Sequence, residues 1–233
     1  MQVISSKDNE IVKNVRKLKE KKFRDLENAY IIEGIKLVKE AITEKANIKQ
    51  IIMCENFADS IELDKDTLYD IARYDVVYVT RNIINSITDV KTPQGIIAVV
   101  ERKKASTVDY SQEIIIALDG VQDPGNLGTI LRTVDSANLK QIILSKNSAD
   151  PYNPKVVRST MGAIFRVNII EVENLKQELQ KAQEDGFKVM VTSLDTENSV
   201  YDVDYNKKVI VIGNEANGVS EKIQNIANEK VKI

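Results

Sequence analysis

The chain contains 233 residues, of which 42% are hydrophobic and 29% are charged, and its formal net charge is −2. A chain of this size and composition buries a large core and is typical of a globular protein, not of a disordered or low-complexity one. It has no histidine and one cysteine, Cys54. These counts exclude histidine general bases, zinc sites built from Cys and His, and any internal disulfide. We expect Cys54 to be a buried thiol.

The N-terminus carries no apolar stretch of signal-peptide length, and the longest apolar runs of the chain, such as Ile114–Leu118, have five residues. A membrane-spanning helix needs about 20 consecutive, mostly apolar residues. We therefore expect a cytoplasmic protein that makes no membrane contact.

Positive charge is concentrated at the N-terminus, where residues 1–24 contain eight Lys or Arg and three Asp or Glu. The apolar residues between Asp8 and Glu20 recur with helical spacing, which predicts a short amphipathic helix with a basic outer face. Two interpretations are open: a helix face that is only solvated, or a patch that contacts phosphates. The residues proposed for such a patch are Arg16, Lys17, Lys21, Lys22 and Arg24.

The next segments predict a small domain of alternating strands and helices. The predicted strands are Tyr30–Gly34, Ile48–Cys54, Val76–Thr80 and Gly95–Val100, and the predicted helices are Ile35–Ile42 and Asp64–Tyr74. Residues 101–109 are polar and show no periodic pattern, so a domain boundary is placed there. The prediction is one domain over 1–104, a linker over 105–112 and a second domain over 113–233.

The second domain is predicted as a series of strand–helix–strand units. Its predicted strands are 114–119, 141–145, 165–170, 187–192 and 208–212, and its predicted helices are 126–138, 154–162, 173–185 and 220–227. This order indicates an α/β domain with a mainly parallel sheet and helices on both faces. Ligands of such sheets bind beyond the carboxyl ends of the strands, so we expect functional residues in the loops that follow them.

The first such loop runs from Asp119 to Thr133 and is rich in glycine. Asn126 is a suitable N-cap, which places Arg132 nearly two turns into the following helix. Glycines before a helix favour phosphate binding, but the lysine of a P-loop and the GxGxxG spacing are both missing, which disfavours a nucleoside triphosphate. A tight turn before an ordinary capped helix is the alternative.

Two more segments each allow a functional and a purely structural interpretation. Gly213–Ser220 follows a buried strand and contains two glycines, a glutamate and two asparagines, a composition that suits a flat polar ligand such as an adenine nucleoside or a simple turn. Asn153–Ala163 contains Pro154, which suits a first helical turn, and Arg158, which either contacts a phosphate or is only solvated.

Together these segments resemble the SpoU/TrmH branch of the SPOUT RNA methyltransferases, and the resemblance covers nearly the whole chain. The first motif of that branch matches Asn126–Thr133 and the second matches Ile212–Val219, in this order and each at a strand end. The N-terminal part, including Tyr30–Gly34 and Thr92–Gly95, resembles the substrate-binding domain of the branch, a small α/β/α RNA-binding domain.

The resemblance implies methyl transfer from S-adenosylmethionine to a ribose 2′-hydroxyl of structured RNA, ribosomal RNA rather than transfer RNA, without a metal. It implies a C-terminal α/β domain tied in a trefoil knot, which forms a homodimer around the cofactor site. It points to Arg132, helped by Asn126, for catalysis, with Arg132 orienting the hydroxyl and stabilising the developing alkoxide. Its implied cofactor residues are Leu194, Ile212, Gly213, Glu215 and Ile233, and Arg158 and Ser159 join the RNA-binding candidates.

The third motif of the family is expected directly after Val231-Lys232-Ile233. Its residues complete the adenosine pocket, the knot and much of the dimer interface in that family. We therefore expect these 233 residues alone to bind the cofactor weakly or not at all, and to form a dimer interface that is smaller than that of an extended version or absent. A second function therefore stays open, that of an RNA-binding protein with the same fold and no catalysis. Cofactor binding distinguishes the two.

Overall fold

The computed structural model describes residues 3–57, 65–103 and 107–232. The chain divides into two compact units, one formed by Met1–Lys103 with Tyr152–Phe165 and the other by Lys104–Pro151 with Arg166–Ile233. The sequence predicts residues 152–165 for the second domain, whereas the structure places them in the first unit. They belong there because Pro154, Val156 and Val157 are buried and their helix packs against a strand of the first unit.

The first unit is built around a five-stranded mixed sheet. Its strands are β1 (Val3–Ile4), β2 (Ala29–Glu33), β3 (Ile48–Cys54), β4 (Val76–Val79) and β5 (Ile96–Glu101), in the order β1-β4-β3-β5-β2. β5 runs antiparallel to both of its neighbours, and the other pairs are parallel. The helices are α1 (Glu10–Lys17), α2 (Lys21–Glu27), α3 (Ile35–Thr43), α4 (Lys65–Ile71) and α5 (Arg81–Ile87).

Continuous apolar runs explain why the strands of this unit form the core. β5 is buried at five of its six positions and β2 at four of five, as expected for strands covered on both faces. The sequence missed β1, α2 and α5. α5 buries Ile83, Ile84 and Ile87 in only seven residues, too short a segment for its helical period to be distinguished from a strand.

The second unit contains a six-stranded sheet in which every pair is parallel, so the predicted mainly parallel sheet is confirmed. Its strands are β6 (Ile114–Asp119), β7 (Gln141–Ser145), β8 (Asn168–Val172), β9 (Lys188–Thr192), β10 (Lys208–Gly213) and β11 (Glu229–Val231), in the order β11-β9-β10-β6-β7-β8. The helices are α6 (Pro124–Ser136), α8 (Leu175–Glu184) and α9 (Glu221–Gln224). α7 (Pro154–Ser159) and a 3₁₀ turn over Ala163–Phe165 belong to the first unit.

Two element boundaries differ from the sequence prediction, at the start of α6 and at the start of β8. α6 begins at Pro124 with Asp123 as its N-cap, so Asn126 lies inside the first turn and is not the cap. β8 begins at Asn168, because residues 163–165 form the buried 3₁₀ turn.

The core of the second unit lies between the sheet and its covering helices. Ile115, Val189 and Val209 from the strands pack in one cluster with Leu179 of α8 and Ile223 of α9. Among the helices of the described residues, none is long and apolar enough to cross a membrane.

Candidate active site

The two loops singled out in the sequence lie side by side. β6 and β10 are neighbouring parallel strands whose register pairs Asp119 with Gly213, the last residues of the two strands. Both strands therefore end at the same edge of the sheet, and the loop after Asp119 meets the loop after Gly213.

The first loop leads directly into α6. The Asp123 carboxylate accepts a hydrogen bond of 2.9 Å from the Asn126 backbone N–H, and Pro124 occupies the first turn, where its missing N–H costs nothing. This cap fixes the start of the helix and leaves the side-chain amide of Asn126 available for another partner.

That partner is Glu215 of the second loop. Its Oε1 accepts hydrogen bonds from Asn126 Nδ2 at 3.0 Å and from the Asp123 backbone N–H at 3.1 Å. Its Oε2 accepts from the Gln122 backbone N–H at 3.2 Å and from Asn214 Nδ2 at 3.3 Å. The hydrogen bond from Asn126, together with the backbone donors, lowers the pKa of the Glu215 carboxyl to about 2.

Two further polar residues that sequence reasoning missed hold the loops together. The buried Asp119 carboxylate accepts from the backbone N–H of Ser220 at 2.8 Å and from its hydroxyl at 2.5 Å. Asn214 donates from Nδ2 to the Gly120 carbonyl at 2.9 Å, and its Oδ1 accepts from the Ala216 and Asn217 backbone N–H groups. An Asp that ends a strand whose other side chains are apolar is the signal that points to Asp119.

The loop after β10 is a tight backbone hairpin. Asn214 and Gly218 exchange two backbone hydrogen bonds of 2.9 and 2.8 Å. A Cβ on Gly213 would lie 2.1 Å from the Gly218 carbonyl carbon, so no side chain fits there without moving backbone. Gly218 itself has a φ of +66°, a left-handed conformation that glycine adopts without strain, and the position of a Cβ there faces open space.

A cavity of about 480 Å³ lies next to this hairpin. It is lined by residues 192–195 after β9, residues 214–219 and Gln224. Leu194 is 90% exposed on its rim. Of the predicted cofactor residues, Leu194 and Glu215 thus line the cavity, Ile212 and Gly213 end the strand that leads to it, and Ile233 lies outside the described residues.

Arg132 lies on the exposed side of α6, almost two turns after Asn126. Six helical residues advance about 9 Å along the axis, so the two side chains are separated along the helix. In the part of the chain that the structure describes, no hydrogen bond or ion pair occupies the Arg132 guanidinium. Its five N–H donors are available to an incoming oxyanion or phosphate.

The predicted RNA-binding residues of the N-terminus divide into two groups. Lys17, Lys21 and Lys22 lie exposed on α1 and α2, as a phosphate-contacting patch requires, whereas Arg16 is half-buried and its Nη2 donates to Ser86 Oγ at 3.3 Å. Lys22 lies 4.6 Å from the centroid of the Phe23 ring and pairs with Glu20 at 3.4 Å, an exposed ion pair of little energetic weight.

Arg24 was predicted wrongly. Its side chain is 2% exposed, and Nη1 donates to the carbonyls of Leu18 at 2.8 Å and Lys19 at 2.6 Å, just beyond the C-terminus of α1. A guanidinium in this position binds carbonyls that the helix leaves without partners and faces the negative end of the helix dipole. Arg24 therefore fixes the turn between α1 and α2 and is not accessible to a phosphate.

Arg158 and Ser159 lie at the end of α7 in the first unit. Arg158 is half-buried and lines a small cleft with Glu33 and Asp89, and the Ser159 hydroxyl donates to the Lys155 carbonyl at 2.9 Å. Burial raises the pKa of Glu33, and the nearby Arg158 charge opposes that shift. Arg158 thus stands beside carboxylates, which compete with any phosphate for its charge.

Comparison with known proteins places these features in a family. The sequence model of the SpoU rRNA methylase family matches residues 113–233, and that of the MRM3-like substrate binding domain matches residues 9–98. The chain belongs to the SpoU rRNA methylase family. The family predicted from the two motifs is therefore confirmed, as is the architecture of an N-terminal substrate-binding domain followed by a methyltransferase domain.

The individual relatives agree with this. The chain is 31% identical over 220 residues to the 23S rRNA (guanosine(2553)-2′-O)-methyltransferase RlmP of Bacillus subtilis, covering 94% of this chain and 85% of the relative. It is 29% identical to the mitochondrial rRNA methyltransferase 3 of Mus musculus, covering 66% of this chain and 37% of that longer protein. An AdoMet-bound rRNA methyltransferase from Sinorhizobium meliloti superimposes with a TM-score of 0.85 at 31% identity, covering 100% of this chain and 88% of that one.

Proposed function

We propose that this protein transfers a methyl group from S-adenosylmethionine to a ribose 2′-hydroxyl of structured RNA. The observation that carries the proposal is the joining of the two family motifs in one site, where Glu215 of the second motif binds Asn126 of the first beside the cavity at the end of β10. The ribosomal RNA named for the Bacillus subtilis relative supports ribosomal RNA, in preference to transfer RNA, as the substrate.

The residues around the cavity fit S-adenosylmethionine. About 480 Å³ lies within the usual range of small-molecule sites, roughly 300–1,000 Å³. Leu194 offers apolar surface for a flat base, and the open space beside Gly218 lets a ligand approach the backbone. The bound cofactor supplies a methyl group that is made electrophilic by its sulfonium.

The proposed role of Arg132 follows from the charge that develops on the ribose oxygen during methyl transfer. The hydroxyl oxygen forms a bond to the methyl carbon as the sulfur–methyl bond breaks, and the hydroxyl proton passes to solvent water. When this proton leaves ahead of bond formation to the methyl carbon, negative charge develops on the oxygen. The guanidinium of Arg132, which has no hydrogen bond or ion pair among the described residues, orients the hydroxyl and stabilises that charge.

The surface of α1 and α2 is the proposed RNA-binding face. Arg16, Lys17, Lys21 and Lys22 supply the positive charge that phosphate contacts need, on a chain whose net charge is only −2. The match of residues 9–98 to a substrate-binding domain supports the same role.

A knotted topology is also proposed. β11 pairs with β9 on one side, while on the other side Lys232 forms a bridge with Ser199 and accepts from the Val200 backbone N–H at 3.1 Å. The connection from β9 to β10 therefore runs along the far side of β11, which supports a trefoil knot. A homodimer and a cytoplasmic location remain part of the proposal, and light scattering of the purified protein tests the first.

The deciding experiment separates an enzyme from an RNA-binding protein without catalysis. The protein is incubated with methyl-labelled S-adenosylmethionine and with unmodified transcripts of ribosomal or transfer RNA, and the label in a ribose 2′-O-methyl nucleoside is measured after digestion. Label in ribosomal RNA is expected. RNA binding without any cofactor binding in calorimetry would instead favour the non-catalytic function.

A further inference from the structure

Four hydrogen-bond donors from other residues in the described part of the chain face the Glu215 carboxylate. They are two backbone N–H groups, of Gln122 and Asp123, and two side-chain amides, of Asn126 and Asn214. Only an ionised carboxylate, which accepts at both oxygens, satisfies such a set. A glutamine would turn its own NH₂ towards two of these donors and lose their hydrogen bonds.

The same argument fixes the orientation of the Asn126 amide. A carboxylate can only accept, so the atom of Asn126 that lies 3.0 Å from Glu215 must be the NH₂ nitrogen and not the carbonyl oxygen. Asn126 Oδ1 then lies in the same plane, on the opposite side of the amide group from Nδ2. Across the described residues no hydrogen bond is donated to this oxygen, which is left as an acceptor.

We propose that Glu215 is a positioning residue, which holds the Asn126 amide so that Asn126 Oδ1 accepts a hydrogen bond from the ribose 2′-hydroxyl. This inference rests on the proposed methyl transfer. A hydroxyl whose proton is directed at Oδ1 presents an oxygen lone pair to the methyl carbon, which is the alignment that an in-line displacement requires. Glu215 also lines the cavity proposed for the cofactor, but in this role it acts on the ribose through Asn126.

Kinetics of three variants test the proposal. Glu215→Gln and Asn126→Ala are each expected to lower kcat by about 10- to 100-fold, because a misplaced reacting group costs up to about 10² in rate, with KM for RNA changed less than threefold. The double variant is expected to be no slower than Asn126→Ala alone, since Glu215 acts through Asn126. Glu197→Gln, an exposed glutamate on the loop after β9, is the matched control and should keep the wild-type kcat.

An unchanged kcat in Glu215→Gln, or multiplied losses in the double variant, would overturn the positioning role while leaving the proposed function intact. Absence of methyl transfer by the wild-type protein would overturn the proposed function instead.

The orientation of Asn126 has a readout that needs neither activity nor a variant. The Asn126 side-chain NH₂ signals of the wild-type protein, followed by NMR, should lie away from those of a free amide and stay constant from pH 8 to the ordinary glutamate pKa of 4.5. The lowered pKa of Glu215 keeps the carboxylate ionised over that range, and its hydrogen bonds are lost only as the pH falls towards 2. Free-amide signals at neutral pH would overturn the inference whether or not the protein transfers methyl groups.

Discussion

Arg24 lies next to the surface lysines Lys21 and Lys22 in the sequence but is buried, so we expect it to stabilise the fold and not to contact RNA. Its Nη1 makes two charge-assisted hydrogen bonds to the Leu18 and Lys19 carbonyls. Hydrogen bonds to charged groups contribute roughly 1.5–3 kcal/mol each. Part of this gain is offset by the desolvation of a buried guanidinium, so we expect Arg24→Met to lower the free energy of unfolding by about 3 kcal/mol.

The assay combines thermal unfolding with RNA binding. A loss of about 3 kcal/mol lowers Tm by roughly 6–12 °C in a protein of this length. Lys22→Met removes an exposed charge and should change stability by less than about 0.5 kcal/mol, because exposed ion pairs contribute little. For RNA the order reverses: Lys22→Met should reduce the slope of log affinity against log salt by about 0.7, and Arg24→Met should leave it unchanged. A stable Arg24→Met protein with a reduced slope would show that Arg24 contacts RNA and that its burial is irrelevant to folding.

Three further outcomes follow from other parts of the structure. Arg132→Ala should lower the methyl-transfer rate by about 10²–10³ with cofactor affinity unchanged in calorimetry, because the guanidinium acts on the developing oxyanion; wild-type turnover would contradict this. Gly213→Ala, whose Cβ would lie 2.1 Å from the Gly218 carbonyl carbon, should lower cofactor affinity at least tenfold, checked by the same calorimetry. Glu229→Gln removes the carboxylate that lies 2.5 Å from the buried Lys208 ammonium. The free energy of unfolding, measured in urea, should fall by about 3–5 kcal/mol. An unchanged urea midpoint would show that water already solvates Lys208.

Local sequence patterns predicted the elements whose buried residues are close together in the sequence. β3 begins and ends at the predicted residues, Ile48 and Cys54, and its last four residues, Ile51–Cys54, form the buried apolar run that marks it in the sequence. The alternation of strands and helices in the second unit predicted a parallel sheet, because strand–helix–strand units place their strands parallel. The two motifs sat at strand ends, and neighbouring parallel strands bring such ends together.

Long-range packing decided what local patterns left open. Tyr152 lies between the Tyr30 ring, with 4.9 Å between centroids, and the Arg102 guanidinium, 4.5 Å from its ring. These contacts draw residues 152–165 into the first unit, although β7 and β8 on either side of them belong to the second. No feature within a dozen residues of Tyr152 distinguishes it from an exposed tyrosine, so its partners could not be predicted from the sequence.

The N-cap of α6 is Asp123, three residues before the predicted Asn126, and this shift changes which hydrogen bonds Asn126 can make. As an N-cap, Asn126 would use its side-chain oxygen to accept a backbone N–H of its own helix, and that oxygen would be lost to the substrate. Because Asp123 caps the helix and Pro124 occupies its first turn, Asn126 moves to the third helical position with its amide free. Glu215 can then bind the amide nitrogen and leave the oxygen as an acceptor. Capping of α6 by Asp123 and Pro124 therefore makes a catalytic role for Asn126 physically possible.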